Sequence, residues 1–150
     1  MSRKIAEIQA VLSASPRYIE EFGIPKSSAD LAHHRCIVFT APGRDRWPFR
    51  TADGSLQHVE VAATFTSDSL QCVLELSLRG GGIARLADFL VADSIRAGKL
   101  VPLLVGQHVA EPASVCAVFA PGTQRIPKVR VFLDFLVERF QHQPWKLSGW

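Results

Sequence analysis

Residues 64–83 constrain the fold more than any other stretch of this chain. The strand-like Thr64-Phe65 runs into the polar cluster Thr66-Ser67-Asp68-Ser69. A helically spaced apolar stripe follows, and Gly80-Gly81-Gly82 leads into a second apolar segment at Ile83. Thr66, Ser67 and Asp68 are of the types whose side-chain oxygens satisfy the free N–H groups of a helix start. Leu70, Val73, Leu74 and Leu78 share one helical face, and Gly80 stands where a left-handed residue closes a helix. The predicted unit is strand, helix, turn, strand, which builds α/β folds. Open α/β folds place ligands where a helix starts at the carboxyl end of a strand, because its N–H groups and dipole favour anions. Asp68 partly offsets that dipole and weighs against a strongly anionic ligand. Taken alone, the polar cluster is better accounted for by helix capping than by ligand binding.

The rest of the chain alternates in the same manner. Ile5–Ser13 predicts a strand, Ser15-Pro16 a capped helix ending at Gly23, Ser27–His34 a short second helix, and Cys36–Thr40 a buried strand. Trp47–Arg50 and His58–Phe65 read as partner strands around the turn Ala52-Asp53-Gly54-Ser55. Ile83–Leu86 is a short strand, Asp88–Ala97 a helix, and Leu100–Leu104 and Ser114–Phe119 are strands. Pro127 opens the last helix, whose apolar positions Val129, Phe132, Leu133, Leu136, Val137 and Phe140 follow helical spacing. Strands alternating with helices predict an α/β protein with a mixed sheet.

At 150 residues and 47% hydrophobic, the chain can bury one domain's core. Its net charge of +3 is mild, and the densest basic cluster, Arg44-Asp45-Arg46, is broken by an acid, so nothing points to nucleic-acid binding by a basic stripe. Cys36, Cys72 and Cys116 are odd in number, far apart and flanked by apolar residues, which predicts reduced, buried thiols in a cytoplasmic protein. No secretory leader is visible at Met1-Ser2-Arg3-Lys4, and no apolar run reaches the roughly 20 residues that span a membrane.

Motifs for chemistry are missing. His33-His34 are adjacent and the other histidines are scattered, with no HxxxH or CxxC pair for a metal. Neither GxSxG nor the phosphate-loop pattern occurs, and the glycine triplet ends a helix instead of opening one. No catalytic residue, metal ligand or cofactor is therefore assigned.

Several stretches together resemble one family, the effector-binding domain of LysR-type transcriptional regulators. They are Ala14-Ser15-Pro16-Arg17-Tyr18 with Gly23-Ile24-Pro25, Asp30-Leu31 and His34-Arg35-Cys36; Trp47-Pro48-Phe49 with Asp53-Gly54; Ser67-Asp68 through Gly80–Ile83; Ala97–Leu104; and Pro127–Leu136. They occur in family order over residues 3–140. Ala87 stands where the family usually has proline, and Phe119-Ala120 where it often has Tyr-Pro.

The resemblance implies an α/β, periplasmic-binding-protein-like (type 2) fold, a mixed sheet flanked by helices, with one complete lobe and part of the other. Residues 1–13 would be a crossing strand from lobe I, 14–116 lobe II, 117–140 the return strand and last helix of lobe I, and 141–150 a tail. The implied function is sensing of a small-molecule effector between the lobes of a non-enzymatic, cytoplasmic, homodimeric or higher-oligomeric regulator. DNA would be contacted only through a helix-turn-helix that this stretch does not show. Phe65, Thr66, Ser67 and Asp68 match the family's lobe II wall of the effector cleft, with Thr66 and Ser67 hydrogen-bonding the effector and Phe65 giving an apolar wall. The alternatives are a stand-alone ligand-binding or decoy dimerisation module, and an enzyme on a similar scaffold, which no residue supports. A chain holding half of lobe I would also leave the apolar face of helix 127–140 in need of a partner. That helix and residues 1–12 are then expected to pair with a second copy, fold onto lobe II, or lack order.

Overall fold

The computed structural model describes residues 1–147. Two apolar layers sandwich a five-stranded sheet in the order β6-β3-β7-β2-β8. Its strands are β2 (Ala10–Ala14), β3 (Cys36–Phe39), β6 (Ala63–Ser67), β7 (Ile83–Ala87) and β8 (Val101–Pro102). β3 runs parallel to β6 and β7, whereas β2 is antiparallel to β7 and β8. This is a mixed α/β sheet, as the alternation of the sequence predicts.

Covering both faces explains why the central strands are apolar at successive positions. Val11, Ile37, Ala84 and Leu86 face one layer, with Val73 and Leu74 of α2 (Leu70–Leu78) and Val91 of α3 (Asp88–Arg96). Leu12, Cys36, Val38 and Ile83 face the other, with Tyr18 of α1 (Pro16–Phe22), Trp47 and Phe49. Ser15 caps α1, its Oγ accepting from the Tyr18 N–H at 3.2 Å. Tyr18 is fully buried, and its hydroxyl accepts from the Arg35 N–H at 2.9 Å and lies 2.7 Å from His34 Nδ1. The motif residues 15–18 and 34–36 thus meet in one hydrogen-bonded knot.

The turn from α2 into β7 needs its glycines. Gly80 has φ +86°, and a Cβ on Gly82 would lie 2.5 Å from the Arg35 carbonyl oxygen, which accepts the Ile83 N–H. The predicted helix start shifts slightly. Ser67 still belongs to β6, and Ser69 is the cap, its Oγ accepting from the Cys72 N–H at 3.3 Å. Leu70, placed by periodicity on the buried stripe, is exposed, because it stands at the first turn beyond the sheet edge.

Two predicted strands divide. Ile5–Ser13 breaks at Gln9, giving β1 (Ser2–Ile8) and β2, since the Gln9 carbonyl turns to accept from the Asp88 N–H. His58–Phe65 divides into β5 (Leu56–Glu60), which pairs with β4 (Arg46–Arg50), and β6, which joins the main sheet. Val61 is buried at the crossing between them. Residues 100–104 form a strand only at Val101–Pro102, because Leu104 turns away at φ +52°. The segment 27–34 is a 3₁₀ turn closed by a capping box between Ser27 and Asp30.

Among the described residues β9 (Ala113–Val118) pairs only with β1, and α4 (Pro127–Phe140) packs on β1. Helix α4 is the layer that packs on this small ladder, whose β9 residues stay mostly exposed. Of the predicted α4 stripe Leu133 is buried, Val129, Leu136, Val137 and Phe140 are half-buried and Phe132 is 58% exposed, while Phe135, off the stripe, is 55% exposed. Cys36 is buried, but Cys72, on the outer side of α2, and Cys116, on the uncovered β1–β9 ladder, are exposed, against the expectation of three buried thiols. Of the tail 141–150, Ser148, Gly149 and Trp150 lie outside the described residues.

Candidate functional site

A cavity of about 340 Å³ opens at the carboxyl ends of the parallel strands β3 and β7. Its floor is Ile37–Phe39 and Arg85–Ala87, and one side is α3's first turn, with Phe89 and Leu90. Leu70 contributes from the start of α2, and Arg44 and Trp47 from the hairpin side. The remaining side is the pair of crossings between the main sheet and the β1–β9 unit, Ile8–Ala10 and Glu111 with Ala113. The carboxyl end of a parallel sheet, bounded by two helix starts, is where α/β sheets hold ligands.

A polar cluster reaches this largely apolar surface through Arg85 and Glu111. Arg85 Nε donates to His108 Nε2 at 2.9 Å, and Nη2 donates to Glu111 Oε2 at 2.6 Å. The Arg85 side chain is 11% exposed, against 52% for Glu111. As His108 accepts through Nε2, its proton sits on Nδ1. Burial, with the adjacent Arg85 charge, pushes the His108 pKa down to about 3. The ring also packs edge-on against Phe49, with centroids 5.7 Å apart. Burial pushes the Arg85 pKa down and Glu111 pulls it back up. Glu111 has φ +46° and precedes Pro112, a backbone state unfavourable for a residue with a Cβ.

The sequence-predicted residues Phe65, Thr66, Ser67 and Asp68 are close to this cavity but do not line it. Ser67 pairs in register with Phe39, whose ring forms part of the floor. Its Oγ accepts from the Ser69 N–H at 3.1 Å, so it is engaged in the turn. Phe65, Thr66 and Asp68 are exposed along the free edge of β6. Sequence reasoning missed Arg85, His108 and Glu111. The available signal was Arg85 itself, a cation in the middle of the otherwise apolar strand Ile83–Ala87. Nothing in the sequence places His108 and Glu111 beside it. Among the described residues no group of His, Cys, Asp and Glu is arranged to hold a metal ion, and no helix is long and apolar enough to cross a membrane.

A mixed α/β lobe with a cavity at its strand ends, crossed by two strands to a second unit, defines a periplasmic-binding-protein-like ligand domain. The chain belongs to the LysR substrate binding domain family, whose model matches residues 1–141. It is 40% identical over 126 residues to the HTH-type transcriptional regulator CrgA of Neisseria meningitidis, covering 83% of this chain and 42% of that protein. It is 32% identical over 149 residues to the regulator DmlR of Escherichia coli, covering 96% of this chain and 47% of that protein. The chain therefore spans less than half the length of these relatives. The structure of the CrgA regulatory domain superposes with a TM-score of 0.83 at 36% identity, over 93% of this chain and 68% of that one. Full-length AphB of Vibrio cholerae shares the fold, with a TM-score of 0.79 at 24% identity over 93% of this chain and 47% of that one.

Proposed function

We propose that this chain is the effector-sensing part of a LysR-type transcriptional regulator, binding a small metabolite in the cavity at the carboxyl ends of β3 and β7. The position of that cavity carries the reading. It lies where the main sheet meets both crossings, Ile8–Ala10 and Glu111–Ala113, so an occupant touches the sheet and the segments that lead to the β1–β9 unit. A ligand that binds one relative arrangement better than another shifts their populations. In the intact regulator a helix-turn-helix reads that shift out on DNA as a dimer or higher oligomer in the cytoplasm.

On this reading residues 14–116 form lobe II, while 1–13 and 117–140 belong to lobe I. Thr66 and Ser67 extend the wall of the cleft beyond Phe39, with Phe65 and Asp68 at its rim. Titration of the 150-residue chain with a metabolite library, followed by thermal shift and by mass spectrometry of the ligand, tests the proposal. A sensor gives a rise in Tm with the ligand recovered unchanged, about 2.7 kcal/mol of stabilisation at a hundredfold excess over Kd. A ligand recovered as product assigns catalysis instead, and a library without any stabilising member removes the cavity as a binding site.

A further inference from the structure

We propose that the cavity takes a small molecule bearing a carboxylate on an apolar body, and that this carboxylate binds Arg85 in the place held by Glu111. The inference rests on the reading of the cavity as the effector site and names the ligand's chemistry. The charged groups among the lining residues are Arg44, Arg85 and Glu111, two cations and one anion. Around them the surface is apolar, with Trp47, Leu86 and Phe89 prominent.

Arg85 is built to receive an anion. It is rooted in the central strand between the buried Ala84 and Leu86. His108 holds its Nε without cancelling its charge, because the imidazole is neutral. Its Nη1 makes no hydrogen bond among the described residues, and Nη2 is held by Glu111 alone. A ligand carboxylate can bridge Nη1 and Nη2 together, a bidentate geometry that the present single contact with Glu111 does not use.

Glu111 is the partner that can leave. Its side chain is half exposed, so water receives it when displaced. Its backbone is in the left-handed region immediately before a proline, so release of the side chain frees a strained segment. That segment leads directly into β9. Exchange of one carboxylate for another on Arg85 therefore connects occupancy to the crossing between the two units. Asp68, the acid beside the α2 start, does not line the cavity and does not oppose the ligand there.

Calorimetric titration of the 150-residue chain with cyclohexanecarboxylate and cyclohexanecarboxamide, matched in shape and differing in charge, tests the exchange. The acid is expected to bind at least about tenfold more tightly than the amide, the worth of one hydrogen bond to a charged group. Arg85→Gln removes that preference, and Arg85→Lys, which keeps the charge, retains part of it. Glu111→Gln tightens the acid about tenfold by removing its competitor and leaves the amide unchanged. Equal binding of acid and amide overturns the inference while leaving the cavity as a ligand site. Failure of the acid to bind even Glu111→Gln also overturns it, and the metabolite titration separately decides whether the cavity binds anything. Circular dichroism melts of each variant exclude loss of fold as the cause.

Discussion

His108 shows how one residue's surroundings set a property of the whole protein. Its ring is packed against Phe49 and accepts from Arg85, so protonation would place a second positive charge beside a buried guanidinium. The folded pKa, near 3, lies well below the value of about 6.5 in an unfolded chain. Between those values the unfolded state binds a proton that the folded state refuses. Stability is thus complete above pH 6.5 and falls as pH drops toward 3. His34, also pushed down by burial, acts in the same direction. From pH 6.5 to pH 5 the contribution of His108 reaches at most about 2 kcal/mol. Urea midpoints measured at the two pH values check this: the wild type loses stability on acidification, and His108→Gln loses markedly less. An unchanged wild-type midpoint would show that His108 is not held neutral.

At the scale of elements, α4 carries a helical apolar stripe that the fold covers fully only at Leu133 and leaves open at Phe132. Leu133 is 5% exposed against β1, whereas Phe132 and Phe135 face outward. The ion pair of Arg3 with Asp134 also ties α4 to β1, but both groups are largely exposed and such pairs contribute little. Leu133→Ala is expected to cost about 2–5 kcal/mol. Phe132→Ser and Phe135→Ser are each expected to stay within about 0.5 kcal/mol of the wild type. Chemical denaturation of the three variants separates them, and a large loss at Phe132 would mean that the face is already covered in solution. The structure shows neither of the two outcomes expected within one chain, folding onto lobe II or lack of order: this helix and residues 1–12 pack on each other, α4 lying on β1, itself paired with β9. Periodicity alone identified the helix over Pro127–Phe140 but says nothing about which layer, if any, lies across it.

Over the whole molecule, burial follows the layers. The five-stranded sheet is covered on both faces, while the β1–β9 ladder carries α4 on β1 and leaves β9 mostly exposed. The three cysteines sample this difference. Burial pushes the Cys36 thiol up to about 11, while Cys72 and Cys116 are exposed. An aromatic disulfide reagent at pH 8 is expected to modify Cys72 and Cys116 rapidly in the native protein and Cys36 only on unfolding, because the thiolate is the reactive form. Peptide mapping of the labelled protein gives the answer, and fast labelling of Cys36 would contradict the packing of β3.

The sequence by itself determined the local grammar of this protein. The cap at Ser15, the glycine turn at residues 80–82, the buried strands and the last helix each depend on neighbours within a few positions, so residue type and spacing suffice. The order of the motifs carried the family resemblance for a similar reason: Ser15, Tyr18, His34 and Arg35 close a single hydrogen-bonded knot. Tertiary structure decided what depends on distant partners. It broke residues 5–13 at Gln9 and 58–65 near Val61, because the two halves of each segment pair with different sheets and alternation continues across the break. It exposed two thiols that apolar neighbours had suggested were buried. It also opened a cavity beside the polar run 65–68, where Arg85 meets His108 and Glu111 across more than twenty residues of chain. No local pattern encodes that meeting, because it exists only once β7, the hairpin and the crossing into β9 are packed together.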